Sequence, residues 1–201
     1  MINDAGLIWV FVALAFAFTL AGRFFVRRFT VHFRPIAAYD ALPALAADAV
    51  ESAKRIHFSL GSSALGDTTT VTALTSAEVI YRLAERMAVS REIPLVTLSN
   101  PLVLPLAQDT LRRAYEYRRT MRYYRSNAAA WFPQGPRALA FAAGVAAFSA
   151  DYDVDSSLVL GRFGYELALI GESALRYDQG LIAHSDRVEG QAIAFALADQ
   201  V

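Results

Sequence analysis

The sequence predicts an α/β protein: an N-terminal transmembrane helix followed by a three-layer, Rossmann-like parallel sheet of five or more strands. Three observations predict it. An uncharged apolar run fills residues 5–22. Beyond it, short near-continuous apolar segments recur, such as PLVTL at 94–98 and SLVLG at 157–161, as in strands covered on both faces. Between them lie longer amphipathic or alanine-rich stretches of helical length. That alternation builds a parallel sheet through right-handed crossovers, with helices on both faces.

The first element is an anchor. Its 18 uncharged residues, at about 1.5 Å each, nearly cross a hydrocarbon core of ~30 Å. Asp4 precedes the run; Arg23, Arg27, Arg28 and Arg34 follow it with no acid among them. A signal peptide carries its positive charges in front and its cleavage site behind, so this order predicts an uncleaved span. By the positive-inside rule its N-terminus is outside and the following domain cytoplasmic. Trp9 suits the outer interface, and Phe24, Phe25 and Phe29 the inner one. We therefore divide the chain into an anchor with its basic flank (1–27), a juxtamembrane connector (28–36) and one α/β domain (37–201). In the connector Arg28, Thr30, His32 and Arg34 alternate with Phe29, Val31 and Phe33. Period two favours a strand; a frayed helix end is the alternative.

The domain then reads in order. Helix 37–53 is alanine-rich with Pro43 in its first turns, and strand 55–60 follows. Helix 71–88 has Leu74, Val79, Ile80 and Leu83 as its expected buried face. Strand 93–98 leads to helix 101–119, opened by Asn100 as cap and Pro101 at the first position. Strand 127–132, helix 136–149, strand 157–160, helix 164–175, strand 181–184 and helix 187–198 complete the pattern. Helix 136–149 is apolar nearly all round. Val201 is expected to begin a sixth strand in a longer natural protein. There is no internal repeat, low-complexity tract or second domain.

Composition limits the chemistry. Hydrophobic residues make up 55% of the chain, more than a globular domain needs, so part of that surface meets lipid or a partner. Net charge is zero, which argues against a nucleic-acid binder held by charge. Cysteine is absent, which removes disulfides, thiolate metal sites and a thiol nucleophile. Lys54 is the sole lysine, which disfavours Schiff-base chemistry and a phosphate-loop lysine. Residues 148–201 carry nine acids and three bases, so the two parts of the chain have opposite net charge. Such asymmetry can guide assembly or membrane approach, or be no more than solvated surface.

In an open α/β sheet, ligands bind beyond the carboxyl ends of the strands. The candidate ligand-binding residues there are Gly61, Ser62, Ser63, Gly66, Asp67, Thr68, Ser99 and Asn100. Gly61 and Gly66 have the spacing of a phosphate loop, with Thr68 following, but Asp67 stands where its lysine belongs. Against the dinucleotide fingerprint, Ser63 replaces the middle glycine, and the second strand ends in Thr97, Leu98 and Ser99 without the ribose-binding acid. A glycine turn capped by Asp67 or Thr68 is the simpler account; a small anion at the helix N-terminus is the functional one. His32, His57 and His184 have no metal-site spacing and read as structural histidines. Ser62, Ser63 and Ser99 have no identifiable base. Asp151, Asp153 and Asp155 begin like a calcium loop, yet its twelfth position is Arg162 rather than glutamate, so they read as a solvated turn. No cofactor, metal or catalytic residue is expected.

Residues 111–126, LRRAYEYRRTMRYYRS, interleave six arginines with four tyrosines. Arg112, Arg113, Tyr115, Tyr117, Arg118, Arg119, Arg122, Tyr123 and Tyr124 are the interface candidates, since both residue types are enriched in protein interfaces. A lipid surface ranks second for this segment and nucleic acid a distant third.

The segments AVESAKRIHFSLGSSALGD, REIPLVTLSNPLVLPLAQDTLRRAY and VLGRFGYELALIGESA are similar to an uncharacterised bacterial family of membrane-anchored proteins, catalogued only as a domain of unknown function. The likeness runs from about residue 35 onward. It implies this topology, with further strands or membrane helices beyond the present end, and it implies no activity. The expected role is a membrane-anchored, non-catalytic scaffold that assembles with itself or with a larger membrane complex. The alternative is a membrane-tethered small-ligand or nucleotide sensor using the 61–70 loop; a membrane-bound hydrolase ranks last.

Overall fold

The computed structural model describes residues 4–28 and 35–201, which fall into two compact units, Met1–Pro35 and Ile36–Val201. The first contains α1 (Asp4–Arg28), 25 residues long. It has no proline, and its run of Ala, Leu and Phe suits a helix. Its stretch Gly6–Phe24, with mean hydropathy 2.0, is long and apolar enough to cross a membrane, and no other helix among the described residues is. The Thr19 hydroxyl donates to the Ala15 carbonyl within the helix, which satisfies a polar group that lipid would leave unpaired. Arg28 closes α1; the rest of the expected connector strand, residues 29–34, lies outside the described residues.

The second unit alternates strand and helix: α2 (Ala37–Ser52), β1 (Arg55–Gly61), α3 (Thr70–Met87), β2 (Leu95–Leu98), α4 (Leu104–Tyr117), β3 (Ala129–Trp131), α5 (Leu139–Asp151), β4 (Val154–Arg162), α6 (Glu166–Arg176), β5 (Gly180–Ser185) and α7 (Val188–Leu197). All strand pairs are parallel, in the order β3-β2-β1-β4-β5. The fold is the predicted Rossmann-like sheet. Beyond α7, Gln200 bridges to Ile182 in parallel, so the chain takes up strand pairing again along the outer side of β5.

Period two along the strands separates two cores. Ile56, Phe58 and Leu60 point into one with α2, α3 and α4, joined there by Val96, Leu98 and Leu158. Val159, Leu181 and Ala183 point into the other, packed by Phe141, Phe163, Leu167 and Ile170. Every β1 residue after Arg55 is buried, as expected of a central parallel strand.

Four details differ from the sequence expectation. β4 starts at Val154, not 157: its polar first half is a strand because Lys54 holds Asp155 and Ser157 faces His57. β2 starts only at Leu95, since Pro94 has no N–H to give the ladder. The segment after Asn100 opens as a 3-10 turn, Pro101–Val103, before α4. On α3 Ile80 and Leu83 are buried as expected, but the rest of the buried stripe is Ala73, Ala77, Ala84 and Met87. Leu74 lies one helical step off that stripe and is 50% exposed.

Candidate functional site

The sheet order reverses between β1 and β4, and a ligand crevice in this fold opens beyond the carboxyl ends of those two strands. Here the two ends are stitched together. The Ser62 amide and hydroxyl both donate to the Arg162 carbonyl, at 2.9 and 3.0 Å. The Arg162 amide donates to the Ser63 hydroxyl at 3.0 Å. From the other side, the Ser99 amide and hydroxyl both reach the Gly61 carbonyl, at 2.9 and 3.0 Å. Gly61 is required here: its φ is +58°, and a Cβ would meet the Arg162 carbonyl oxygen at 2.4 Å.

The rest of the loop closes on its own side chains. Thr69, fully buried, accepts from the Ala64 amide at 2.8 Å. Thr70 accepts from the amides of Gly66 and Asp67, at 2.9 and 3.1 Å. Asp67 accepts from the Thr69 amide and hydroxyl, both at 2.6 Å, and those two bonds hold its carboxyl below the ordinary range. A phosphate cradle needs free amides aimed at the anion. These amides are engaged within the loop, and a carboxylate sits among them. Thr68 is exposed, and the Asn100 carboxamide accepts from the Leu102 amide as an N-cap. Ser63 and Ser99 are buried.

Neighbouring strand ends repeat the stitching. The Ser185 hydroxyl donates to the Phe163 carbonyl at 2.8 Å and accepts from the Phe163 amide. Arg162 pairs with Asp186 at 3.2 Å, and the Gly164 amide donates to buried Glu166.

His57 lies in the sheet interior, fully buried. Its Nε2 is 2.7 Å from the Thr97 hydroxyl and its Nδ1 is 3.2 Å from Ser157. Thr97 donates onward to Ser59, and Ser59 to the Thr97 carbonyl. A Thr97 hydroxyl that gives its proton to Ser59 must accept from His57, so Nε2 carries the hydrogen and Nδ1 accepts from Ser157. Burial pushes the imidazole down to about 3. This is a closed network of a neutral histidine. Of the other two, His184 is an exposed residue of β5, and His32 lies outside the described residues. Among the described residues no cluster of His, Cys, Asp or Glu could hold a metal ion.

The arginine/tyrosine segment divides three ways. Arg112 is paired with Asp109 and Glu116, at 2.7 and 2.8 Å, and Arg118 with Glu85. Arg113 lies 5.3 Å above the Tyr81 ring and Arg122 4.7 Å above Tyr123. Arg119, Arg122 and Arg125 are exposed and have no acid partner among the described residues, and Tyr117 is 67% exposed. Tyr115 is a correction: it is fully buried. It continues the α4 stripe of Ala107, Leu111 and Ala114 and its ring lies 6.2 Å from Tyr124, so it belongs to the core and not to a surface.

A family model described as Domain of unknown function (DUF6754) matches residues 3–198. The chain belongs to the DUF6754 family. No curated protein and no solved structure matches it. The DUF6754 match covers α1 as well as the α/β unit, so the family's shared sequence includes the apolar helix. In this DUF6754 chain, sequence reasoning gave Thr69 and Thr70 no role of their own within the 61–70 loop and missed Ser157. The signal available for the first two was the Asp67-Thr68-Thr69-Thr70 run, an Asx-turn and helix-start pattern. Nothing local marks Ser157, whose partner His57 is distant in sequence.

Proposed function

We propose that this chain is a membrane-anchored, non-catalytic α/β assembly subunit. α1 spans the cell membrane, and the arginines that follow it keep the α/β unit on the cytoplasmic side. The unit acts through its surface, in a homo-oligomer or a larger membrane complex. One observation carries this reading: the strand ends where a Rossmann-like protein would hold a small molecule are closed by their own hydrogen bonds. Arg119, Arg122 and Arg125, exposed at the other end of the strands beside Tyr117, are engaged by no acid among the described residues. That composition favours a protein partner.

The test is made on native membranes. Carbonate washing should leave the chain in the pellet, and a blue-native gel should place it above its 22.0 kDa monomer. Release into the soluble fraction, or a strict monomer with nothing co-purifying, overturns the reading. A thermal shift of several degrees with a nucleotide or small anion would replace it with the ligand-sensor alternative.

A further inference from the structure

Because all five strands are parallel, the loops leading into them gather at one end of the sheet. The strand order sorts their charges. Before β2 and β3 lie Arg91, Arg119, Arg122 and Arg125, all exposed and, among the described residues, in no ion pair; residues 117–150 contain no acid at all. Before β4 and β5 lie Asp153 and Asp178, both exposed and, among the described residues, in no ion pair. Lys54 pairs with Asp155, and its ammonium is held above its ordinary range by Asp155 first, with Asp153 and Asp178 adding to it.

The same end exposes Val89, Tyr117, Met121, Tyr152 and Tyr177. Tyrosine, methionine and arginine together are the residues that interfaces concentrate. The sheet is four strand spacings wide, about 19 Å, and the Debye length at physiological salt is about 8 Å. Within one molecule the basic and acidic halves are therefore largely screened from each other. A uniformly anionic partner, whether lipid surface or nucleic acid, would be attracted by one half and repelled by the other. A second copy is not. A two-fold axis through the middle of this end lays each basic half on the other copy's acidic half, which is the self-complementarity an isologous dimer requires.

We propose that the amino-end face of the sheet is a homodimer interface, in which Arg119, Arg122 and Arg125 of one copy meet Asp153 and Asp178 of the second. This rests on the assembly reading above and specifies its partner and surface.

The test uses the full chain in nanodiscs, with mass read on single particles and folding checked by circular dichroism. The wild type should be dimeric, with dissociation favoured at least tenfold between 50 and 300 mM salt, taking about four charge contacts as the order of magnitude. Arg119→Glu, Arg122→Glu and Arg125→Glu together make both halves acidic; Asp153→Arg with Asp178→Arg makes both basic. Each variant alone should be monomeric, and an equimolar mixture should return to a one-to-one dimer, which misfolded variants could not do. If the wild type assembles but both variants assemble equally well, or the mixture stays monomeric, this interface is wrong and the assembly reading stands. A wild type that is monomeric and brings down no partner overturns both.

Discussion

His57 and Thr97, 40 positions apart, meet at 2.7 Å with both side chains fully buried between β1 and β2. The imidazole is the donor in that pair, and Ser157 from β4 closes its other side. Three strands of the sheet are thus joined by one neutral ring.

That ring makes stability depend on acid. Its folded value of about 3 lies below the ordinary 6.5, so the unfolded chain binds the proton more readily. The contribution is complete above pH 6.5 and is lost as pH falls from there toward 3, at a slope approaching ~1.4 kcal/mol per unit. Urea midpoints between pH 7.5 and 4.5 should show the loss. His57→Ala should cost about 3 kcal/mol at neutral pH, from the cavity and two orphaned hydroxyls, and flatten the profile. An unchanged slope in the variant would assign it to other groups.

Gly61 and Gly66 both have positive φ, at +58° and +89°, but only Gly61 is crowded; a Cβ on Gly66 meets nothing within 4 Å. Gly66→Ala should therefore cost only backbone strain, about 1–2 kcal/mol. Gly61→Ala adds a collision with the Arg162 carbonyl and should cost clearly more, to the point of poor expression. Equal losses in denaturant titrations would refute the stitched switch point.

Thr69→Val keeps the shape of a buried side chain and removes its hydroxyl. The Ala64 amide and Asp67 each lose a partner, for a loss of about 1–3 kcal/mol. The Asp67 carboxyl, held low chiefly by the Thr69 hydroxyl, should titrate at a higher pH in a carboxyl-resolved NMR series. If it does not move, the loop is held by something other than Thr69.

Tyr115 offers the opposite sign. Its hydroxyl is buried and has no hydrogen-bond partner among the described residues. Tyr115→Phe should be neutral or stabilising by about 1 kcal/mol. A drop in melting temperature would mean that the hydroxyl is bonded in solution.

For α1, Ala15→Arg puts a charge in the middle of Gly6–Phe24, where insertion costs about 3 kcal/mol. The variant should shift toward the carbonate-extractable fraction. Full retention in the membrane pellet would count against a span centred there.

The alternation of elements was legible because strands with both faces covered are apolar throughout, and β1 and β5 match their expected bounds closely. The first half of β4 was not. Asp155 and Ser156 look like a turn until Lys54 and His57 are placed beside them, and that placement is tertiary. The candidate loop behaved similarly. Its glycines and Asp67 could be weighed by spacing, but the bonds that tie its Gly61–Ser63 end come from Arg162 and Ser99, outside the loop. Tyr115 was misread because a helical stripe must be phased, and the arginines around it hid the apolar phase of Ala107, Leu111 and Ala114.

The pairing of β1 with β4 has a consequence in time. Phe58 lies opposite Leu158, 100 residues later in the chain. At ~5–20 residues per second, synthesis leaves Phe58 without that neighbour for about 5–20 s. By then the N-terminal helix has long since left the ribosome. A nascent chain of this kind carries a central strand with one edge still open, and its birth demands a chaperone or a shielding surface more than its finished form does.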